Sequence, residues 1–255
     1  MSNEFFKGVK QWEFNLGELP FKLPVFYYDT TTIIAIYTAS TAKVKELLPL
    51  PQMNPIELSP GKCLVAFTAF EYRETDINPY NEFAIAFLVT YDKPQIPFLT
   101  SALQMYRRRM TAYVWHLPVT TEIARVGGVE LYGYPKFIAD IEFEKEADHI
   151  TCHLSEDANK ILSLRGKVLP VARGKNSRII TYSNIDDIPL VTNIHINQLE
   201  FAESRDKQAA TLEIGSDHSI SEDLQKIGLS ATPVQYQYSP LNQAILFAGR
   251  NLMDD

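Results

Sequence analysis

Apolar runs of strand length recur along the chain and set its predicted architecture. Thr31–Thr38 (TTIIAIYT) is β-branched, and Lys62–Phe70 (KCLVAFTAF) and Glu82–Tyr91 (EFAIAFLVTY) have the length and composition of buried strands. Phe137–Glu146 alternates over its later part, with Ile141, Phe143 and Lys145 facing one way and Glu142, Glu144 and Glu146 the other. Ile194–Phe201, Ala209–Ile214, Val234–Tyr238 and Ala244–Phe247 continue the pattern. Nothing repeats as strand–helix–strand, so the expected sheet is mostly antiparallel.

Helical signals are few and short. Ser40–Leu48 starts polar, ends apolar and stops at Pro49, and Ser101–Met110 is a second segment of helical character. Thr120–Gly127 opens on a threonine cap with Glu122 in its first turn, and the Gly127-Gly128 pair predicts its end. Ser219–Ile227 follows the same grammar before Gly228. Together these predict one α+β domain over residues 1–255, built around a large curled antiparallel sheet.

Composition supports a packed interior and removes several partners. Apolar residues make up 45% and charged residues 22%, and 14 Phe, 13 Tyr and 2 Trp supply bulky core material. The 24 Lys and Arg against 31 Asp and Glu leave a net charge of −7, which repels phosphate backbones. Arg107-Arg108-Arg109 has no basic flank, so no nucleic-acid partner is expected. The N-terminal stretch has no apolar run of secretory length, and runs such as Phe83–Val89 are too short to span a bilayer. The expectation is a cytoplasmic protein with no membrane partner. Cys63 and Cys152 make no disulfide framework and read as small buried hydrophobes.

Most motif-borne chemistry is absent. No dinucleotide-binding glycine pattern, phosphate loop, Gly-x-Ser-x-Gly elbow or His-Glu-x-x-His pair occurs. His149 and His153 fall four apart on a strand, ~13 Å from each other, too far to share an ion, and Cys152 points to the opposite face. No metal site is expected. The Glu142, Glu144, Glu146 row reads as a solvated sheet face. His116, His195 and His218 have no local partners that define a triad. One lysine stands apart. Lys136 is flanked by Tyr134, Pro135, Phe137 and Ile138, an apolar setting that disfavours the ammonium and leaves more of the nucleophilic free amine. A lysine at a strand entry can also snorkel to the surface.

The segment Glu130-Leu-Tyr-Gly-Tyr-Pro-Lys136 resembles the active-site segment of the acetoacetate decarboxylase family, in which Glu-Leu-x-x-Tyr-Pro-Lys carries a Schiff-base lysine. Ile33–Pro49 is similar to the family's strand–helix–Pro unit, and Tyr80-Asn-Glu82 to the Tyr-x-Glu that contributes a pocket glutamate. Leu190–Phe247, with Asp217-His218 inside it, follows the family's C-terminal half, so the resemblance runs from about Phe26 onward, after an N-terminal arm over about residues 1–25. It implies a cone-shaped β-barrel in homo-oligomers, with the lysine in an apolar cavity and no metal or organic cofactor. It also implies that Lys136 forms an imine with a β-keto acid while Glu82 positions substrate or moves protons.

Departures from the family pattern bear on the substrate. Phe137 stands where the family has a second lysine, so desolvation alone is expected to activate Lys136. The family's pocket arginine falls near Thr30 and a second glutamate at Thr68, as though one ion pair had been removed. Arg73 or Arg125 could replace the cation and Glu71 the carboxylate. The substrate-binding set implied is then Tyr134, Phe137, Thr68, Thr30, Glu71 and Arg73, around a substrate larger or less acidic than acetoacetate. Three functions are compatible with it: decarboxylation of acetoacetate or a related β-keto acid, aldol or dehydration chemistry on another keto acid, or non-catalytic binding of an apolar carbonyl compound.

Overall fold

Seven strands close on one another to make a barrel, and a second, smaller sheet packs on its outside. The computed structural model describes residues 3–185 and 188–254. A hairpin of β1 (Trp12–Leu16) and β2 (Leu19–Leu23) leads into β3 (Val25–Ser40), helix α1 (Thr41–Glu46) and the short strands β4 (Met53–Pro55) and β5 (Glu57–Ser59). Next come β6 (Lys62–Thr75), β7 (Tyr80–Tyr91), α2 (Leu99–Arg107), β8 (Arg109–His116) and α3 (Glu122–Tyr132). The second sheet takes β9 (Asp140–Lys145), β10 (His149–Glu156), β11 (Asn159–Lys167) and, further on, β14 (Ala210–Ile214). The chain finishes with β12 (Ser177–Ile185), β13 (Ile188–Ser204), α4 (Ser219–Lys226), β15 (Gln235–Leu246) and β16 (Arg250–Asn251).

The barrel runs β3-β6-β7-β8-β12-β13-β15 and returns to β3. Every neighbouring pair is antiparallel except β8 with β12, which is parallel. This is the mostly antiparallel curled sheet that the apolar runs predict. Three readings of the sequence change. Val234–Tyr238 and Ala244–Phe247 belong to one strand, β15, interrupted by bulges against β3 near Ser239 and Asn242. The second helix covers Leu99–Arg107, and a left-handed Arg108 ends it before β8 begins. Helix α3 runs through Gly127-Gly128 and stops only at Gly133, whose φ of +60° makes it the left-handed cap.

Strand alternation divides the interior into two cores. One face of β3, β6 and β7 presents Ile33, Tyr37, Phe67, Phe83, Ile85 and Phe87 to the second sheet. There they meet Ile141, Cys152, Leu154, Leu162 and Leu164, with Ile220 and Leu224 of α4. Each fully buried aliphatic side chain contributes ~1.5–3 kcal/mol, so this inter-sheet layer holds the two sheets together. Cys63 and Cys152 are free thiols inside it. The other face gives the barrel interior, where Tyr27, Tyr72, Tyr80, Val114, Val119, Tyr132, Tyr134 and Leu246 gather. Among the described residues no helix is long and apolar enough to cross a membrane.

His116, at the end of β8, makes folding sensitive to acid. Burial pushes its imidazole down to about 4, with the nearby Asp223 opposing the shift and His218 adding to it. A buried neutral histidine must charge on unfolding, so its contribution is complete above pH ~6.5 and is lost as pH falls toward 4. The expected loss is on the order of 3 kcal/mol. Thermal melts of wild type and His116→Phe between pH 7 and 4 check this, the variant showing the flatter dependence.

Candidate active site

Lys136 lies on the connection between α3 and β9, and that connection is fastened at both ends. Gly133 N–H donates to Val129 O and Tyr134 N–H to Gly128 O, closing the helix. Leu117 N–H then donates to Pro135 O, Val119 N–H to Phe137 O, and Ala139 N–H to Val119 O. Val119 also bridges to Glu82 of β7, and Phe83 N–H donates to Pro118 O. Residues 117–119 therefore lie between the lysine segment and the strand that carries Glu82, fixing one against the other.

The result is a buried ion pair. Lys136 Nζ is 2.7 Å from Glu82 Oε2, and the two side chains are only 6% and 8% exposed. Tyr72 Oη donates to Glu82 Oε1 at 3.2 Å and Tyr80 Oη to Oε2 at 3.5 Å, while Tyr27 and Tyr80 hydroxyls are 3.2 Å apart. The ammonium also lies 5.7 Å from the centre of the Tyr80 ring, within cation–π range. Burial, followed by the charge of Glu82, holds the Tyr72 and Tyr80 phenols well above their usual range, so both stay protonated donors. Burial pushes Tyr134 up to about 12, and its hydroxyl is 2.6 Å from Thr181 Oγ1. A pair enclosed this way is charge-balanced, and its carboxylate accepts from three donors.

Lys136 therefore has a carboxylate in contact with it, rather than desolvation alone. The proton that must leave the ammonium before the amine can attack a carbonyl has an acceptor one hydrogen bond away. Helix α3 makes room for this side chain: a Cβ added to Gly128 would lie 3.1 Å from Lys136 Cγ and closer still to Cδ and Cε. Gly127 serves the arm in the same way, since a Cβ there would lie 2.7 Å from Phe21 Cζ.

The structure brings together some of the residues singled out from sequence and separates others. Lys136, Glu82 and Tyr134 share the barrel interior with Thr30, which pairs with Tyr72, and with Thr68, which pairs with Ala84 two residues beyond Glu82 on β7. Phe137 turns the other way and packs against the inter-sheet core. Glu71 and Arg73 alternate with Tyr72 and so occupy the outer face of β6, where Arg73 pairs with Glu71 and Asp29 and donates to Thr31, and Lys145 pairs with Glu71. Arg125 pairs with Glu122 on the surface of α3. None of these three charges supplies the pocket with an ion. Tyr72 and Tyr27 were not singled out, although period-two counting from Phe70 and across to Tyr80 would have placed Tyr72 on the Glu82 face. At the exposed turn between β9 and β10, Glu146, Asp148 and His149 converge within 4.8 Å, but Glu146 is paired with Arg165 and His149 with Asp148.

A closed barrel holding a buried lysine–glutamate pair among tyrosines defines a class of site suited to imine chemistry on carbonyl compounds. The family model for acetoacetate decarboxylase matches residues 15–239, and the chain belongs to that family. Its fold is similar to that of an acetoacetate decarboxylase from Legionella pneumophila subsp. pneumophila str. Philadelphia 1, at 14% identity and a TM-score of 0.64, covering 90% of this chain and 87% of that one. It is also similar to an acetoacetate decarboxylase-like enzyme from Sphingomonas wittichii RW1 (15% identity, TM-score 0.55, 89% and 92% covered). A third similar structure is the enduracididine biosynthesis enzyme MppR, complexed with the condensation product of pyruvate and imidazole 4-carboxaldehyde (12% identity, TM-score 0.61, 90% of each chain). At these identities the likeness is one of fold. No curated protein matches the chain in sequence.

Proposed function

We propose that the protein is a cofactor-independent carboxy-lyase that decarboxylates acetoacetate or a related β-keto acid through an imine on Lys136. The observation that carries this reading is the buried contact of Lys136 Nζ with Glu82 Oε2 at 2.7 Å. Glu82 takes a proton from the ammonium, and the free amine adds to the ketone carbon. Loss of water gives a protonated imine, which is the electron sink the reaction needs. The bond between the α-carbon and the carboxylate then breaks, CO2 leaves, and its electron pair becomes the enamine. Protonation at carbon, with Glu82 well placed to return the proton, and hydrolysis of the imine release the ketone and restore the lysine. The net reaction consumes one proton per CO2 released.

Arg73 and Arg125 are engaged elsewhere, so in this reading neither arginine meets the substrate carboxylate. Borohydride reduction in the presence of acetoacetate, followed by peptide mass mapping, tests the reading. The expected result is a reduced adduct on Lys136, with ketone and CO2 released when borohydride is left out. An adduct without CO2 would indicate condensation or dehydration chemistry instead. No adduct with acetoacetate, pyruvate or longer keto acids would leave a binding protein.

A further inference from the structure

The barrel interior carries a polar patch that the lysine chemistry does not use. Where β3 meets β15, Thr30, Thr32, Ser239 and Asn242 are all buried, in a part of the interior otherwise made of apolar and aromatic side chains. Asn242 Nδ2 donates to Thr30 O at 3.2 Å, to Thr32 Oγ1 at 3.0 Å and to Ser239 Oγ at 3.3 Å. Ser239 Oγ donates in turn to Glu200 O at 2.6 Å. The bulges of β15 on either side of Asn242 aim this amide at β3, as bulges beside functional sites commonly re-aim a side chain. One group is left over. Thr30 Oγ1, on a residue only 1% exposed, has no hydrogen-bond partner.

An unpaired buried hydroxyl costs ~1–3 kcal/mol, so one left free beside fastened neighbours gains by meeting an acceptor on a ligand. Thr30 lies directly opposite Tyr72 in the β3–β6 register, and opposed residues on antiparallel strands project to the same face. Tyr72 is the residue whose hydroxyl reaches Glu82. The free hydroxyl therefore faces the same interior as the Lys136–Glu82 pair.

Resting on the imine reading above, we propose that Thr30 Oγ1 donates to the carboxylate of the keto-acid substrate, so that recognition of the carboxylate is neutral instead of ionic. The chemistry favours such a partner. The bond that breaks must stand across the plane of the imine for its electrons to enter it, so the carboxylate needs orientation. A hydroxyl orients through one hydrogen bond, without the full charge that would hold the carboxylate back. An arginine would add a full charge and a second donor to the same contact.

Two ketones that differ by the carboxylate test this on one lysine. Wild type, Thr30→Val and Thr30→Ser are trapped with borohydride over a range of acetoacetate and, separately, of acetone, and the adduct on Lys136 is quantified by mass. Thr30→Val keeps the shape and removes the hydroxyl. It is expected to raise the acetoacetate concentration giving half-maximal trapping about ten- to a hundredfold, the worth of one hydrogen bond to a charged group, and to leave acetone unchanged. Thr30→Ser should restore acetoacetate trapping. Because the valine removes an unpaired hydroxyl, its melting temperature should equal or exceed that of wild type. Equal effects on both ketones, or none on either, would overturn the assignment while leaving the imine standing. A wild type that traps neither ketone would end both readings.

Discussion

Lys136→Ala is expected to abolish the borohydride-trapped adduct and to bring keto-acid turnover down to the background rate. The same substitution should unfold the protein more easily, for a reason separate from catalysis. Glu82 would remain buried with its cation gone, and breaking a buried pair from one side costs ~3–5 kcal/mol. In a chain of this size that corresponds to a fall in Tm of roughly 10 °C near neutral pH. The two tyrosine donors soften the loss without cancelling it, since neither carries charge. The double variant Lys136→Met with Glu82→Gln, which removes both charges together, should recover most of the stability and none of the activity. Mass mapping of the adduct and thermal melts of the single and double variants check both halves. Turnover by Lys136→Ala at the wild-type rate would refute the imine.

Gly128→Ala is expected to have the opposite signature, a crippled site in a sound fold. Alanine is the better helix former by ~1 kcal/mol, and Gly128 sits inside α3. What the new methyl meets is the lysine stem at Cγ, Cδ and Cε. The flexible stem can give way by about 1 Å, which leaves the charge of Nζ beside Glu82 but spoils the alignment of the pair. A misplacement of about 1 Å at a reacting atom can cost ~10²-fold in rate, and a fall in kcat/KM of that order with Tm unchanged or raised is the expected outcome. Gly127→Ala is the control. Its methyl would strike the Phe21 ring and disturb the docking of the β1–β2 hairpin, so stability should fall first. Steady-state kinetics beside melting curves for the two alanine variants distinguish these cases.

These two glycines also mark where reading the chain succeeds and where it stops. Gly127-Gly128 looks like a helix terminus because the local grammar of helix ends is all the sequence displays. Their real role is steric, toward Phe21 and Lys136, and depends on which segments the fold brings alongside. The strands β6 and β7 were legible because their faces are apolar over long runs, and Lys136 and Glu82 because each belongs to a recognisable local motif. Tyr27 and Tyr72 have no local motif. They become part of the site through cross-strand pairing between segments some 45 residues apart in the chain, and pairing is not written in either segment alone. Strand β8 was hidden for another reason, since Arg109 and Met110 prolong the polar-apolar rhythm of α2 past the turn at Arg108. Glu71 and Arg73 show the complementary error. Charge alone makes both of them candidates, whereas the side of the strand decides, and one residue of offset from Tyr72 puts them outside.

The parallel contact between β8 and β12 has a consequence of parity. A ring of strands can alternate up and down all the way round only if their number is even, and this ring has seven. One seam must join strands that run the same way, and here it is the seam of β8 and β12. Two such neighbours cannot be joined by a tight turn, because the chain has to travel back to the starting end of the barrel before it re-enters. Residues 117–176 make that return journey, and on the way they form α3, most of the second sheet and the loop that holds Lys136. Lys136 is thus carried by the detour that an odd-numbered ring imposes, while its partner Glu82 belongs to the ring itself.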